Sequence, residues 1–189
     1  VALYRQNETR INSSQNNELT NGLVGLWSFN GADTAWSSAT AGIAYDRSGQ
    51  GNHGTITNMS RTTSPTSGRV GQGLLFDGVN DYLRLGTGGP SNLAMNGTNA
   101  FSISLWIKPN TTATTRGIFT RGFVNSSAAN TTYYLGTGST NGRLLRGRVS
   151  DGTNLISVDS SANFLTVDVW SHVVLVFDGV SKNLYLYQN

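Results

Sequence analysis

The 189-residue chain predicts an all-β fold of two antiparallel sheets packed face to face, on three observations. Short apolar runs, about five to eight residues each, recur between turn-rich clusters from Gly22 onward, which is the spacing of a sandwich or barrel. Gly, Thr, Ser and Asn together fill 86 of the 189 positions, and these small or polar residues punctuate short strands and loops. No window holds 18 apolar residues in succession, and no amphipathic pattern of helical period runs for a dozen positions. Neither a membrane-spanning helix nor a helical bundle is supported.

Along the chain, residues 1–21 hold both Glu residues and a Gln/Asn/Ser-rich stretch from Asn12 to Asn17, and read as an N-terminal extension or linker. Residues 22–189 read as the folded domain. Strands are expected at Leu23–Phe29, at Leu74–Phe76 continuing through Tyr82–Leu85, at Phe101–Lys108 and at Gly117–Thr120. Further strands are expected at Thr132–Leu135, Arg143–Val149, Leu155–Val158, Trp170–Phe177 and Leu184–Tyr187. In Phe101–Lys108, Phe101, Ile103, Leu105 and Ile107 alternate with Ser102, Ser104, Trp106 and Lys108, the period of a strand with one face in the core. Trp170–Phe177 is apolar on both parities, as a central strand covered on both faces would be. Asp77-Gly78, Asp151-Gly152 and Asp178-Gly179 supply the positive φ of tight hairpins. About nine to eleven strands in one domain suggest a two-sheet jelly roll.

The composition narrows the chemistry. Apolar residues make up 37% and charged ones 12%, enough for a substantial core and too apolar for a linker. Eleven of the 13 cations are Arg, Lys standing only at 108 and 182, and the formal charge is +3. The Arg are scattered and form no dense stripe for phosphate tracking, so a nucleic-acid partner is not expected. With no Cys there is no disulfide framework, thiolate metal site or cysteine nucleophile. Sparse Lys and Glu with abundant Ser, Thr, Asn and Gly suggest an extracellular or cell-surface module. Seven Asn-x-Ser/Thr triplets, at Asn7, Asn12, Asn58, Asn96, Asn110, Asn125 and Asn130, are about what such a composition produces by itself.

Catalytic patterns are missing. A retaining glycosidase on a β-sheet needs two carboxylates projecting from one strand, at i and i+2 or i+4. The Glu residues are confined to the extension, and Asp77 and Asp81, the nearest approach, lie across a turn. Neither His53 nor His172 accompanies a nucleophile elbow, and no phosphate-binding Gly-rich loop ending in Lys-Ser/Thr occurs. His172, in an apolar strand, reads as a hydrogen-bonded core histidine. Trp27, Phe76, Trp106 and Trp170 read as core anchors. Carbohydrate recognition would need an aromatic platform with planar polar groups, for which Trp36 in a polar loop and Tyr133-Tyr134 are candidates. Arg146 and Arg148 share a strand face and could receive sulfate or carboxylate groups, with Arg121 nearby; the plainer reading is a solvated face whose Arg stems cover apolar surface.

Several segments in order resemble the laminin G-like, concanavalin A-like lectin/glucanase jelly-roll family. They are Gly22-Leu-Val-Gly-Leu-Trp-Ser-Phe-Asn-Gly31, Asp46-Arg-Ser-Gly-Gln-Gly-Asn-His-Gly54, Gly71-Gln-Gly-Leu-Leu-Phe-Asp-Gly78 with Asn80-Asp-Tyr82, Phe101-Ser-Ile-Ser-Leu-Trp-Ile-Lys-Pro109 and Trp170-Ser-His-Val-Val-Leu-Val-Phe-Asp-Gly179. The resemblance implies a structural calcium ion near the end of the first strand, where the family commonly has Asp and this chain has Asn30. Asp46, Asn52 and Asp77 are alternative ligands, since calcium prefers carboxylate, amide and backbone oxygens; the plain reading of each is an Asx turn. The resemblance also implies a final acidic strand beyond Asn183–Tyr187, expected to be truncated here or supplied by Val1–Ile11 or a neighbouring subunit. The expected function is a non-catalytic extracellular module recognising glycans or surface polymers. The alternative is a structural subunit of a surface filament or adhesive layer, assembled by strand or extension docking.

Overall fold

The computed structural model describes residues 21–85, 91–95, 99–110, 115–122, 131–138 and 144–188. The expected extension at 1–21 lies, apart from Asn21, outside them. The described chain is almost entirely antiparallel β, as expected, with two short 3-10 turns. Contacts divide it into two compact units, Val1–Thr87 and Gly88–Asn189.

In the first unit, β1 (Thr34–Trp36), β2 (Ala41–Ala44), β3 (Gly54–Thr57) and β6 (Tyr82–Leu85) form a sheet in the order β1-β2-β3-β6. A separate hairpin pairs β4 (Pro65–Ser67) with β5 (Gln72–Leu74). Ile56 and Met59 are fully buried beside Ala44, and Trp27, Phe29, Trp36, Leu74 and Leu83 pack around them. The strand expected at Leu23–Phe29 does not form. Its polar groups are claimed from elsewhere: Leu26 N–H donates to Asp46 Oδ1 (2.9 Å) and the Trp27 indole N–H to the Asn52 carbonyl (2.9 Å). Phe29 then takes a left-handed backbone at φ 60. Phe76, read as a core anchor, is 41% exposed.

The second unit is a two-layer sandwich. One sheet has the order β13-β12-β7, from β7 (Phe101–Ile107), β12 (Ser171–Asp178) and β13 (Asn183–Gln188). The other has the order β11-β10-β9-β8, from β8 (Gly117–Gly122), β9 (Thr131–Thr137), β10 (Leu145–Ser150) and β11 (Leu155–Asp159). Their inner faces share one core: Ile103, Val173, Leu175, Phe177 and Leu184 from the first sheet, Tyr133, Leu135, Leu145 and Val149 from the second, with Leu165. Each large aliphatic side chain so buried stabilises the fold by roughly 1.5–3 kcal/mol. The layers approach closely at Gly147, where an added Cβ would overlap Leu175 Cδ1. As expected, β12 is central, with Val173, Leu175 and Phe177 buried; its other parity is half-buried rather than covered. Gly78 and Gly152 carry the expected positive φ, whereas in the β12–β13 turn Lys182 takes the left-handed position at φ 59 and Gly179 does not.

Candidate functional site

The ligand-binding candidates read from the sequence separate when placed in space. Trp36 lies on β1, half-buried against the Ala44, Ile56 and Met59 cluster, and not in a loop. Tyr133 and Tyr134 are both buried, at 3% and 1% exposure, so neither offers a platform. Tyr133 enters the core, stacked on Phe119 and beside Phe101, and burial pushes its phenol up to about 12 against a smaller opposing pull from Arg121. Tyr134 points to the other face but lies down on the sheet. A Cβ added at Gly136 would overlap its Oη, and one at Gly117 would meet its ring at 3.7 Å; these two glycines are register partners. Its hydroxyl is 3.1 Å from the carbonyls of both Arg116 and Thr137.

The three arginines do not converge. Arg121 stands opposite Tyr133 on the core-facing side of β8, while Arg148 stands opposite Tyr134, with Arg146 two residues before it, on the outer side. Arg146 is committed to a bidentate pair with its register partner Asp159, Nε to Oδ1 at 2.6 Å and Nη2 to Oδ2 at 2.5 Å. That pair holds the Asp159 carboxyl below the usual range. Arg148 is half-buried and its Nε is enclosed without a hydrogen-bond partner.

The proposed calcium ligands have other occupations. The Asp46 carboxylate accepts from the Leu26 and Ser48 amides at Oδ1 and from the Ser48 hydroxyl and Asn52 amide at Oδ2. Burial opposes its ionisation, but those bonds outweigh burial and hold its pKa below the ordinary value. Asn52 is buried and donates its side-chain amide to the Val24 carbonyl at 2.6 Å. Asn30 Oδ1 accepts the Gln72 amide, while Gln72 Oε1 accepts that of Gly31. Asp77 Oδ1 accepts the Val79 and Asn80 amides, an Asx turn. Among the described residues no group of three or more His, Asp or Glu is gathered for a metal ion. The oxygens named for calcium serve loop closure, and this donor set does not fit a calcium cage.

A different surface carries recognition chemistry, the outer face of β7, β12 and β13. Register places Trp106 beside His172, Ser104 beside Val174 and Tyr187, and Ser102 beside Val176 and Tyr185. Trp106, Tyr185 and Tyr187 are 39%, 41% and 54% exposed. The Trp106 and His172 rings lie 5.0 Å apart at 34°, and the Tyr185 and Tyr187 rings are stacked at 6.4 Å. His172 Nε2 is 2.8 Å from Ser104 Oγ. Two expectations from the sequence are corrected here: Trp106 is not a core anchor, and His172 is hydrogen-bonded but sits on this outer face. The signal was present, because alternation in β7 already groups Trp106 with Ser102 and Ser104.

These findings meet the comparison with protein families. The family model of the concanavalin A-like lectin/glucanases superfamily, of laminin G type, matches residues 77–189. The chain belongs to that family. The match includes all of the second unit and the segments at Phe101–Pro109 and Trp170–Gly179, while Gly22–Gly31 and Asp46–Gly54 lie outside it. No curated protein and no solved structure matches the chain. No described helix is long and apolar enough to cross a membrane.

Proposed function

We propose that the chain is a non-catalytic, extracellular or cell-surface carbohydrate-binding module whose site is the outer face of β7, β12 and β13. The observation that carries this is the exposed aromatic set Trp106, Tyr185 and Tyr187 on one sheet face, with Ser102, Ser104 and His172 interleaved. Aromatic faces pack against the C–H faces of sugars and hydroxyl or imidazole groups bond their hydroxyls, the combination recognition sites use elsewhere. Membership in a lectin/glucanase superfamily supports the ligand class, and the fold alone does not choose between lectin and hydrolase.

The chemistry of the described strands favours the lectin side. Their only carboxylates are Asp159 and Asp178, each at a strand end: Asp159 is paired with Arg146, and Asp178 accepts from Val180 and Ser181 in the next turn. The described strands offer no pair for two-carboxylate hydrolysis. Ser104 and His172 are within hydrogen-bonding reach, but no described carboxylate orients the imidazole as a nucleophilic triad needs.

The test is a glycan panel, neutral and sulfated, run on the whole chain with calcium and with chelator. Binding that survives chelation and is lost in Trp106→Ala supports the reading. No binding to any glycan, or binding that Trp106→Ala leaves intact, overturns it.

A further inference from the structure

We infer that this face takes the internal stretch of an extended, uncharged polysaccharide, and neither a terminal sugar nor an acidic chain. The inference rests on the carbohydrate reading above and adds the ligand class to it.

The first argument is dimension. Trp106, Tyr187 and Tyr185 lie on three successive same-face rungs, marked on β12 by His172, Val174 and Val176, and they lie on the two strands flanking β12. With same-face residues about 6.6 Å apart along a strand and strands about 4.8 Å apart, Trp106 and Tyr185 stand about 16 Å apart on the diagonal. One pyranose cannot touch both. Val174 and Val176 between them are half-buried side chains of a regular strand, so the floor between the rings is apolar.

The second argument is charge. Between the strand ends the residues of this face, Ser102, Ser104, Trp106, His172, Val174, Val176, Tyr185 and Tyr187, carry no formal charge, and Asp178, on the same side of β12, stands at its last position. The charges nearest along these strands stand at their ends and are engaged: Lys108 Nζ lies over the Trp170 ring at 5.7 Å, and Asp178 is held by its turn. Recognition of sulfate or uronate calls for a cationic fork, which this face lacks. An uncharged aromatic strip with a serine border complements a neutral chain whose sugars carry equatorial hydroxyls, because such rings leave both flat faces as C–H surface. The serine border lies on β7, where Ser102 and Ser104 are exposed.

The experiment uses the whole chain in three assays: sedimentation with insoluble cellulose and chitin, calorimetry with the matching soluble oligosaccharides from one to six sugars, and calorimetry with a sulfated chain. Expected are co-sedimentation with at least one polymer and affinity rising at least about tenfold from disaccharide to hexasaccharide. Trp106→Ala and Tyr187→Ala should each weaken hexasaccharide binding by about thirtyfold, as truncating an aromatic hot spot does. Tyr187 is the more exposed and serves as the second variant should Trp106→Ala disturb folding. Three results overturn the inference while leaving a carbohydrate module standing: tightest binding to a monosaccharide, salt-sensitive preference for the sulfated chain, or loss in Trp106→Ala with none in Tyr187→Ala. Binding to no glycan overturns both readings, and self-association abolished by Trp106→Ala assigns the face to a second copy of the chain and overturns both.

Discussion

On the outer face of β8 to β11, Arg146 is forked onto Asp159 and Tyr134 lies flat over Gly117 and Gly136 with its hydroxyl bonded to backbone carbonyls. On the outer face of β7, β12 and β13, three aromatic side chains remain open to solvent along an uncharged strip. Both faces belong to the same sandwich and both carry aromatic and polar residues, so composition does not separate them. What separates them is whether the strands also supply a glycine trough to sink the ring and a register-matched carboxylate to hold the guanidinium. A face whose ring is sunk into the sheet is structural, and one whose rings stay turned to solvent is available for recognition.

Point substitutions and one titration sharpen this contrast. Trp106→Ala should lower glycan affinity by about 2 kcal/mol, whereas Arg148→Ala should leave affinity within about twofold; calorimetry beside thermal melts, which check that each variant folds, separates the two. Gly136→Ala should destabilise the fold by about 2 kcal/mol, because the new methyl overlaps the Arg116 carbonyl and the Tyr134 phenol. Tyr134→Phe should lose about 1 kcal/mol in denaturant unfolding, the worth of its buried hydroxyl bonding, with no change in binding. Asp159→Asn should cost less than about 1 kcal/mol, since the pair is partly exposed and salt screens it. A midpoint indifferent to both Tyr134→Phe and Gly136→Ala would show that Tyr134 is not part of the sheet's support.

The smallest effect is expected at the β10–β11 turn. Asp151 accepts from the Thr153 and Asn154 amides and the Asn154 side chain, and these bonds hold its carboxyl at about 2. A carboxyl depressed from its ordinary value of 3.8 stabilises the folded turn above about pH 4, and the contribution is lost as pH falls toward 2. Carbon-detected titration of Asp151 should therefore show its midpoint at about 2, and a midpoint at 3.8 or above would contradict the turn geometry.

The sequence made the second unit more legible than the first. Alternation in Phe101–Lys108 and the two-sided apolar run at Trp170–Phe177 reported β7 and β12 correctly, because large apolar residues mark the core parity there. In the first unit, Gly54-Thr-Ile-Thr57 has a single large apolar residue, and Pro65-Thr-Ser67 has none, so β3 and β4 leave no periodic signal. The candidate site was misread for a related reason. Size argued that Trp106 belonged inside, although its parity with Ser102 and Ser104 argued the opposite, and parity was the better guide. The Arg146–Asp159 pair and the placing of Gly117 beside Gly136 under Tyr134 are products of strand register, which residues 13 and more apart in sequence do not announce.

The segment through Leu26 and Trp27 is fastened without a ladder, by the Asp46 carboxylate, the Asn52 carbonyl and a bond from the Arg47 amide to the Leu26 carbonyl (2.8 Å). Its protection against hydrogen–deuterium exchange is thus governed by the loop at 46–52, not by any strand. The Leu26 amide should exchange together with those of Ser48 and Asn52, as one opening unit released when the Asp46 carboxylate lets go, and independently of the amides of β2 and β3.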